Sequence, residues 1–277
     1  MTKHSNDSRQ NSAHLCFLVV EDNRVNQAIA VGVLKNIASV VDIAGNGVEA
    51  LTLLSTQHDS RYDVIFMDCQ MPELDGYDTT LAIRAGKAGK HYCDIPIIAM
   101  TSNDSNEDAE KCLHVGMNGY MTKPINISVI NELLAVHLPQ NRQSIDMLDA
   151  LSNVQSEPLN EESLKQTTLW NKAALYQRVS HNEKLAASLI DMFLEDAPLL
   201  HGELLKAIAQ KNLKDIAFYA HKFLGICGNI GGEVMYDNLK VIEKLAKQGD
   251  LDTIEQVTVD LKNNFNQLLM KLSEFCL

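Results

Sequence analysis

The chain has 277 residues, 45% of them hydrophobic, with 36 Asp plus Glu against 24 Lys plus Arg and a formal net charge of −12. That length suits two modest domains with separate cores. The acidic balance disfavours nucleic-acid binding, which depends on basic groups that neutralise phosphates. No apolar stretch reaches the roughly 20 residues of a membrane span. The polar start MTKHSNDSRQNSAH lacks the apolar core of a signal peptide, so a cytoplasmic location without membrane contact is expected.

Residues 1–13 are expected to be disordered. From 14 to 139, apolar runs alternate with amphipathic helices, the pattern of βαβ units around a parallel sheet. Strands are expected at LCFLVV (15–20), SVVDIA (39–44), DVIFM (63–67), IPIIAM (95–100) and GYM (119–121). Their continuous rather than alternating hydrophobicity calls for helices on both faces, hence a doubly wound five-stranded α/β sheet. Val25, Ile29, Val33 and Ile37 form one helical stripe. Leu113 and Val115 close a later helix, and Ile127, Ile130, Leu134 and Val136 line the core side of the next. Residues 140–168 are polar and read as a linker, with a short helix near 144–151. Residues 169–277 are helical, with segments at 170–179, 183–210 (kinked at Pro198), 212–229, 233–248 and 251–275, which implies an antiparallel four-helix bundle.

A doubly wound sheet gathers the carboxyl ends of its strands into one crevice. Glu21, Asp22, Asp68, Thr101 and Lys123 each follow a predicted strand, so they are expected to form one pocket. Taken singly they have plainer uses: acids at a helix start, or Thr101 as a helix cap. Together, three carboxylates need a cation, and Mg²⁺ takes oxygen ligands while leaving room for a phosphate. Asp68 is then a nucleophile for phosphorus, Lys123 pairs with a phosphate oxygen, and Thr101 donates to another. The six cysteines show no C-x-x-C pair, and Cys69, beside Asp68, reads as a small core or surface residue rather than a redox centre.

VVEDN, VIFMDCQMPELDGYD, IIAMTS and GYMTKP resemble the motifs of bacterial response-regulator receiver domains over about residues 14–139. The resemblance implies a flavodoxin-like sheet of order 2-1-3-4-5, with Asp68 as phosphoacceptor and Glu21, Asp22, Asp68 and the Gln70 backbone carbonyl as Mg²⁺ ligands. It further implies Thr101 and Tyr120 as a switch pair, Lys123 as phosphate sensor, and a cis Lys123–Pro124 peptide. VEDNRVNQ is similar to receivers attached to hybrid sensor kinases.

On the helix at 212–229, Leu213, Ile216, Ala217, Ala220, Phe223 and Cys227 centre one face. His221 lies on its shoulder, with Gly225 and Gly228 along the same ridge. Each glycine costs the helix about 1 kcal/mol, so either a partner surface approaches closely or the helices cross tightly there. AHKFLGICGNIGG, with FLEDAP at 193–198, resembles the histidine-phosphotransfer (HPt) motif over roughly 169–277. That resemblance implies His221 as a second phosphoacceptor and donor. Leu224 stands where that family usually carries lysine. Lys222 is on a different helix face, and Lys214 lies nearer the His221 stripe.

The expected function is a phosphorelay: Asp68 receives a phosphoryl group from an upstream sensor histidine kinase, and His221 passes it to a downstream response regulator. The sequence has no glycine-rich ATP-binding segment, so the chain is expected to be an intermediate rather than an enzyme. A hybrid protein-histidine kinase would be its parent if it is a fragment. The alternatives are an adaptor switched by phosphorylation of Asp68, or a phosphate sink using Gln70 and Asn103. In either, His221 is not required for output.

Overall fold

The computed structural model describes residues 15–56, 61–101, 106–138, 168–179 and 181–275. The expected disorder at 1–13, the linker with its helix near 144–151, and Asn103 lie outside the described residues. Strands β1 (Cys16–Val20), β2 (Val40–Ala44), β3 (Val64–Asp68), β4 (Ile97–Thr101) and β5 (Gly119–Thr122) alternate with α1 (Arg24–Leu34), α2 (Gly47–Ser55), α3 (Gly76–Arg84), α4 (Asn106–His114) and α5 (Ile127–His137). All pairings are parallel and the order is β2-β1-β3-β4-β5.

Side chains alternate along each strand. Phe17, Val19, Val64, Phe66, Ile98 and Met100 enter one core, while Leu18, Val20, Ile65, Met67, Ile97 and Ala99 enter another on the opposite face. Both faces are therefore covered, which is why the strands read as unbroken apolar runs. Phe17 and Phe66 meet edge to face across β1 and β3 at 5.4 Å.

Some expected core positions turn outward. In α5, Ile130 and Leu134 are one turn apart and buried, and Leu138 continues their stripe. Val136 sits roughly 200° round the helix from Leu134 and is exposed, as is Ile127 at the stripe's edge. In α4 the inward residue is Cys112, and Leu113, one residue further round, faces solvent. Ile37 lies beyond the end of α1 and packs from the following turn.

Among the described residues five further helices follow: α6 (Lys172–Arg178), α7 (Glu183–Ala209), α8 (Leu213–Ile230), α9 (Glu233–Gln248) and α10 (Leu251–Phe275). α8 packs between α7 and α9, and Pro198 sits inside an uninterrupted α7. Asn212 caps α8, its side-chain oxygen accepting the Asp215 amide, and Gly231 ends it in the left-handed conformation. A side chain at Gly231 would strike the Asn171 carbonyl. There the Asn171 amide bonds to Gly231 O at 2.7 Å and the Trp170 indole to Ile230 O at 2.9 Å, pinning the start of this region to the end of α8. The helices bury Phe193, Phe223, Leu239, Leu261 and Leu268 in a core continuous with the α1/α5 face of the sheet. Among the described residues, no helix is long and apolar enough to cross a membrane.

Candidate functional site

β1 ends in Val20, and Asn23 then caps α1 by accepting the Val25 amide at 2.8 Å. Glu21 and Asp22 are thereby fixed in the strand-to-helix turn. Asp68 ends β3, Thr101 ends β4, and Lys123 follows β5. The crevice thus brings together Glu21, Asp22, Asp68 and Lys123, and Thr101 stands at the end of the neighbouring strand β4. The Lys123 ammonium lies 2.6 Å from Glu21 Oε2 and 2.8 Å from Asp68 Oδ2, with all three side chains buried. Asn26 Nδ2 donates to Glu21 Oε1 at 2.9 Å, and the Gln70 amide donates to Asp68 Oδ1 at 3.3 Å. One carboxylate oxygen from each of Glu21, Asp22 and Asp68 falls within a span of 4.8 Å. Thr101 is buried, whereas Tyr120 on β5 is exposed. The Lys123–Pro124 peptide is cis.

Burial, and then the Glu21 charge, push the Asp68 carboxyl up to about 7 despite Lys123. Burial also raises Asp22, against the opposing pull of Lys222. Burial disfavours the Lys123 charge, but Asp68 and Glu21 outweigh it and hold the ammonium above its ordinary range. The pocket is a dense, poorly hydrated set of opposite charges.

His221 on α8 closes this pocket from the bundle side. A cavity of about 10 Å³ is lined by Glu21, Asp22, Asn26, Asp68, Lys123 and His221, among others. That is room for about one water at most. Nδ1 of His221 is 3.1 Å from Glu243 Oε1, and Lys247 reaches the same carboxylate oxygen at 2.8 Å. Burial would raise Glu243, but His221 and Lys247 bring it below its ordinary value. With Nδ1–H donating to Glu243, the imidazole lone pair sits on Nε2.

Around the cavity the two halves are tied together by polar contacts. Lys222 bonds to Asp22, Asn229 Nδ2 donates to Asn26 Oδ1 at 2.7 Å, and Arg24 reaches Asp196 at 2.7 Å and Glu195 at 2.5 Å. A continuous buried chain therefore runs Asn229–Asn26–Glu21–Lys123–Asp68. A larger cleft of about 520 Å³ opens beside the seam near Pro124, Arg178 and Gly228, with none of the three carboxylates in its wall.

The two glycines of α8 divide the explanations offered for them. A Cβ on Gly225 would sit 3.3 Å from Asn26 across the seam, so this glycine admits a partner surface. A Cβ on Gly228 would meet Tyr236 of α9 at 2.9 Å, so this one serves helix packing. His221 is not an exposed shoulder residue: it is 2% exposed because the sheet domain covers it. Leu224 is fully buried in the bundle core. Lys214 is exposed, and the lysine that enters the site is Lys222. The helix-face argument against Lys222 fails because α1 overhangs that part of α8, and a long side chain spans the 100° offset from His221.

Sequence reasoning missed Glu243, Asn26 and Arg24; Asn229 lies in the HPt-like motif, but its bond to Asn26 was not foreseen. The Lys222–Asp22 and His221–Glu243 contacts join positions 200 and 22 residues apart, and no local pattern announces them.

The response regulator receiver domain family matches residues 17–135, and the Hpt domain family matches residues 188–271. Hybrid signal transduction histidine kinase B of Dictyostelium discoideum is 40% identical over 131 residues, 44% of this chain and 6% of its own length. Probable histidine kinase 1 of Oryza sativa subsp. indica is 36% identical over 151 residues, 44% of this chain and 15% of its own. The chain thus spans only a small part of these curated relatives. The receiver domain of sensor histidine kinase PA1611 from Pseudomonas aeruginosa PAO1, solved with magnesium in its active-site cleft, is 37% identical; the match covers 45% of this chain and 98% of that one, with a TM-score of 0.40. The chain thus carries a response regulator receiver domain followed by an Hpt domain.

Proposed function

We propose that the phosphoryl group enters on Asp68 from an upstream sensor histidine kinase and passes to His221 of the same chain. From His221 it moves to an aspartate of a separate response regulator. The observation carrying this reading is that Asp68 and His221 line one small cavity together with Glu21, Asp22 and Lys123. The units are the receiver at 14–139, a linker at 140–168 and the Hpt bundle at 169–277. The chain acts in the cytoplasm as an intermediate and not as a kinase.

Three carboxylate oxygens within 4.8 Å suit a hard divalent ion. Glu21, Asp22, Asp68 and the Gln70 carbonyl would hold Mg²⁺, which when bound offsets charge on the transferring phosphoryl oxygens. The chain's own groups do the rest. Lys123, already between Glu21 and Asp68, swings onto a phosphoryl oxygen, and the Thr101 hydroxyl donates to another, with Tyr120 following as the switch partner. Nε2 of His221 attacks phosphorus as the bond to Asp68 oxygen breaks, and the electron pair returns to the Asp68 carboxylate. The Nδ1 proton stays against Glu243, which stabilises the imidazolium that attack creates. No proton has to leave the sealed pocket during transfer.

Labelling with a small acyl phosphate and Mg²⁺ tests the scheme. Asp68→Ala should abolish labelling, and His221→Gln should leave only base-labile acyl phosphate. Mixing those two variants distinguishes transfer within one chain from transfer between chains: slow, concentration-dependent phosphohistidine supports the former, and wild-type speed refutes it.

A further inference from the structure

We propose that Cys69 and Cys112 form a peroxide-oxidisable pair that closes to a disulfide beside Asp68. Cys69 directly follows Asp68 at the end of β3, and Cys112 is the inward residue of α4. Their sulfurs are 3.8 Å apart, with exposures of 2% and 0%. Bond formation needs a separation of about 2.05 Å, so each sulfur moves less than about 1 Å.

Of the other described cysteines, Cys16 and Cys93 are partly exposed and Cys227 lies in the bundle core. Tyr77 from α3 shares the same apolar core as the thiol pair, and the Lys111 ammonium sits 3.6 Å over its ring. Residues of α3 and α4 and the end of β3 thus share one core around the two sulfurs.

The chemistry balances with a hydroperoxide as oxidant. One thiol sulfur attacks the O–O bond, becoming a sulfenic acid as the first water leaves. The second sulfur attacks that sulfenic sulfur and expels the second water. The two thiols lose two electrons and two protons, and hydrogen peroxide becomes two waters. The bond would strap α4 to β3 beside Asp68. Cys112 also carries the turn into β5, its carbonyl accepting the Met117 amide at 3.0 Å, so the strap restrains the strand that carries Tyr120. The bond stands independently of the phosphorelay scheme; its effect on phosphoryl uptake rests on Asp68 being the acceptor.

The test uses the full reduced chain, treated with hydrogen peroxide under native conditions, then alkylated in denaturant and mapped by mass spectrometry. The expected result is loss of two alkylatable thiols and a cross-linked peptide joining Cys69 to Cys112. The cross-link should be absent in Cys69→Ser and in Cys112→Ala, each with native far-UV circular dichroism. If peroxide oxidises Cys16 or Cys93 while Cys69 and Cys112 stay reduced, or gives sulfinic acid without the cross-link, the proposal is overturned. Because the cross-link is read on the wild-type chain, a variant that fails to fold does not rescue it. Acyl-phosphate labelling is then compared before and after oxidation. Labelling should slow roughly threefold or more and recover with dithiothreitol. A cross-linked chain that labels at full speed refutes the coupling. A reduced chain that never labels refutes the phosphoacceptor assignment instead, leaving the cross-link standing.

Discussion

Glu243 gives the sharpest test of the His221 chemistry. Both side chains are nearly inaccessible, at 3% and 6%, so their contact at 3.1 Å is little screened by water. A buried hydrogen bond to a charged group contributes about 1.5–3 kcal/mol. That energy is worth most in the transition state, where attack by Nε2 places positive charge on the ring. Each 1.4 kcal/mol is about tenfold in rate. Glu243→Gln keeps an acceptor and loses the charge, so transfer from Asp68 to His221 should slow roughly tenfold. Glu243→Ala removes both and should slow it roughly a hundredfold. Rapid-quench labelling reads this directly, because acyl phosphate is base-labile and phosphohistidine is acid-labile. Labelling of Asp68 itself should be unchanged in both variants. A folded Glu243→Ala chain that transfers at wild-type speed would refute the role assigned to the carboxylate. The same contact predicts acid sensitivity: with its folded value lowered, Glu243 contributes stability above its ordinary value of 4.5, lost as pH falls through the folded value.

Gly225→Ala should raise helix propensity by about 1 kcal/mol while pressing a methyl group against Asn26, which is held by Glu21 and Asn229. The thermal midpoint should therefore hold or rise while transfer slows, and a parallel fall in both would contradict the assignment. Lys222→Ala removes the contact to Asp22, and about 1 kcal/mol lost from the seam should slow transfer roughly threefold to tenfold with a weaker salt dependence. His201 stacks on Phe265 at 4.3 Å, and its buried Nε2 has no hydrogen-bond partner among the described residues. Burial lowers its titration below 6.5, so the fold prefers the neutral ring, and stability should fall as pH drops below 6.5, where the unfolded chain takes up the proton first. His201→Leu should flatten the thermal midpoint between about pH 7 and 5.

Much of the fold was legible because the physics behind it is local. Unbroken runs such as VIFM announce strands covered on both faces, and the α10 stripe of Ile254, Val257, Leu261, Phe265, Leu268, Leu272 and Phe275 turns inward, with only Val257 and Phe275 half-buried. The crevice was legible because a parallel sheet must collect Glu21, Asp22, Asp68, Thr101 and Lys123 at one edge. What escaped depends on how the two domains meet. Burial of His221, the reach of Lys222 to Asp22 and the Asn26–Asn229 bond are properties of a seam between distant segments. Helical periodicity describes one helix against one core, so a second surface laid over α8 changes which residues count as inside. Cys112 escaped for a simpler reason: neighbouring Leu113 is the more apolar residue, yet the phase of α4 turns it to solvent.

The seal over His221 has a kinetic side. In the proposed relay, an imidazole roofed by its own receiver can serve only one client at a time, so an outside acceptor would have to wait until α1 lifts from α8. The lifetime of that closed posture, set by Arg24, Lys222 and the Asn26–Asn229 bridge, puts a ceiling on throughput to any separate regulator. Loosening these ties would trade faster hand-off abroad for slower loading at home.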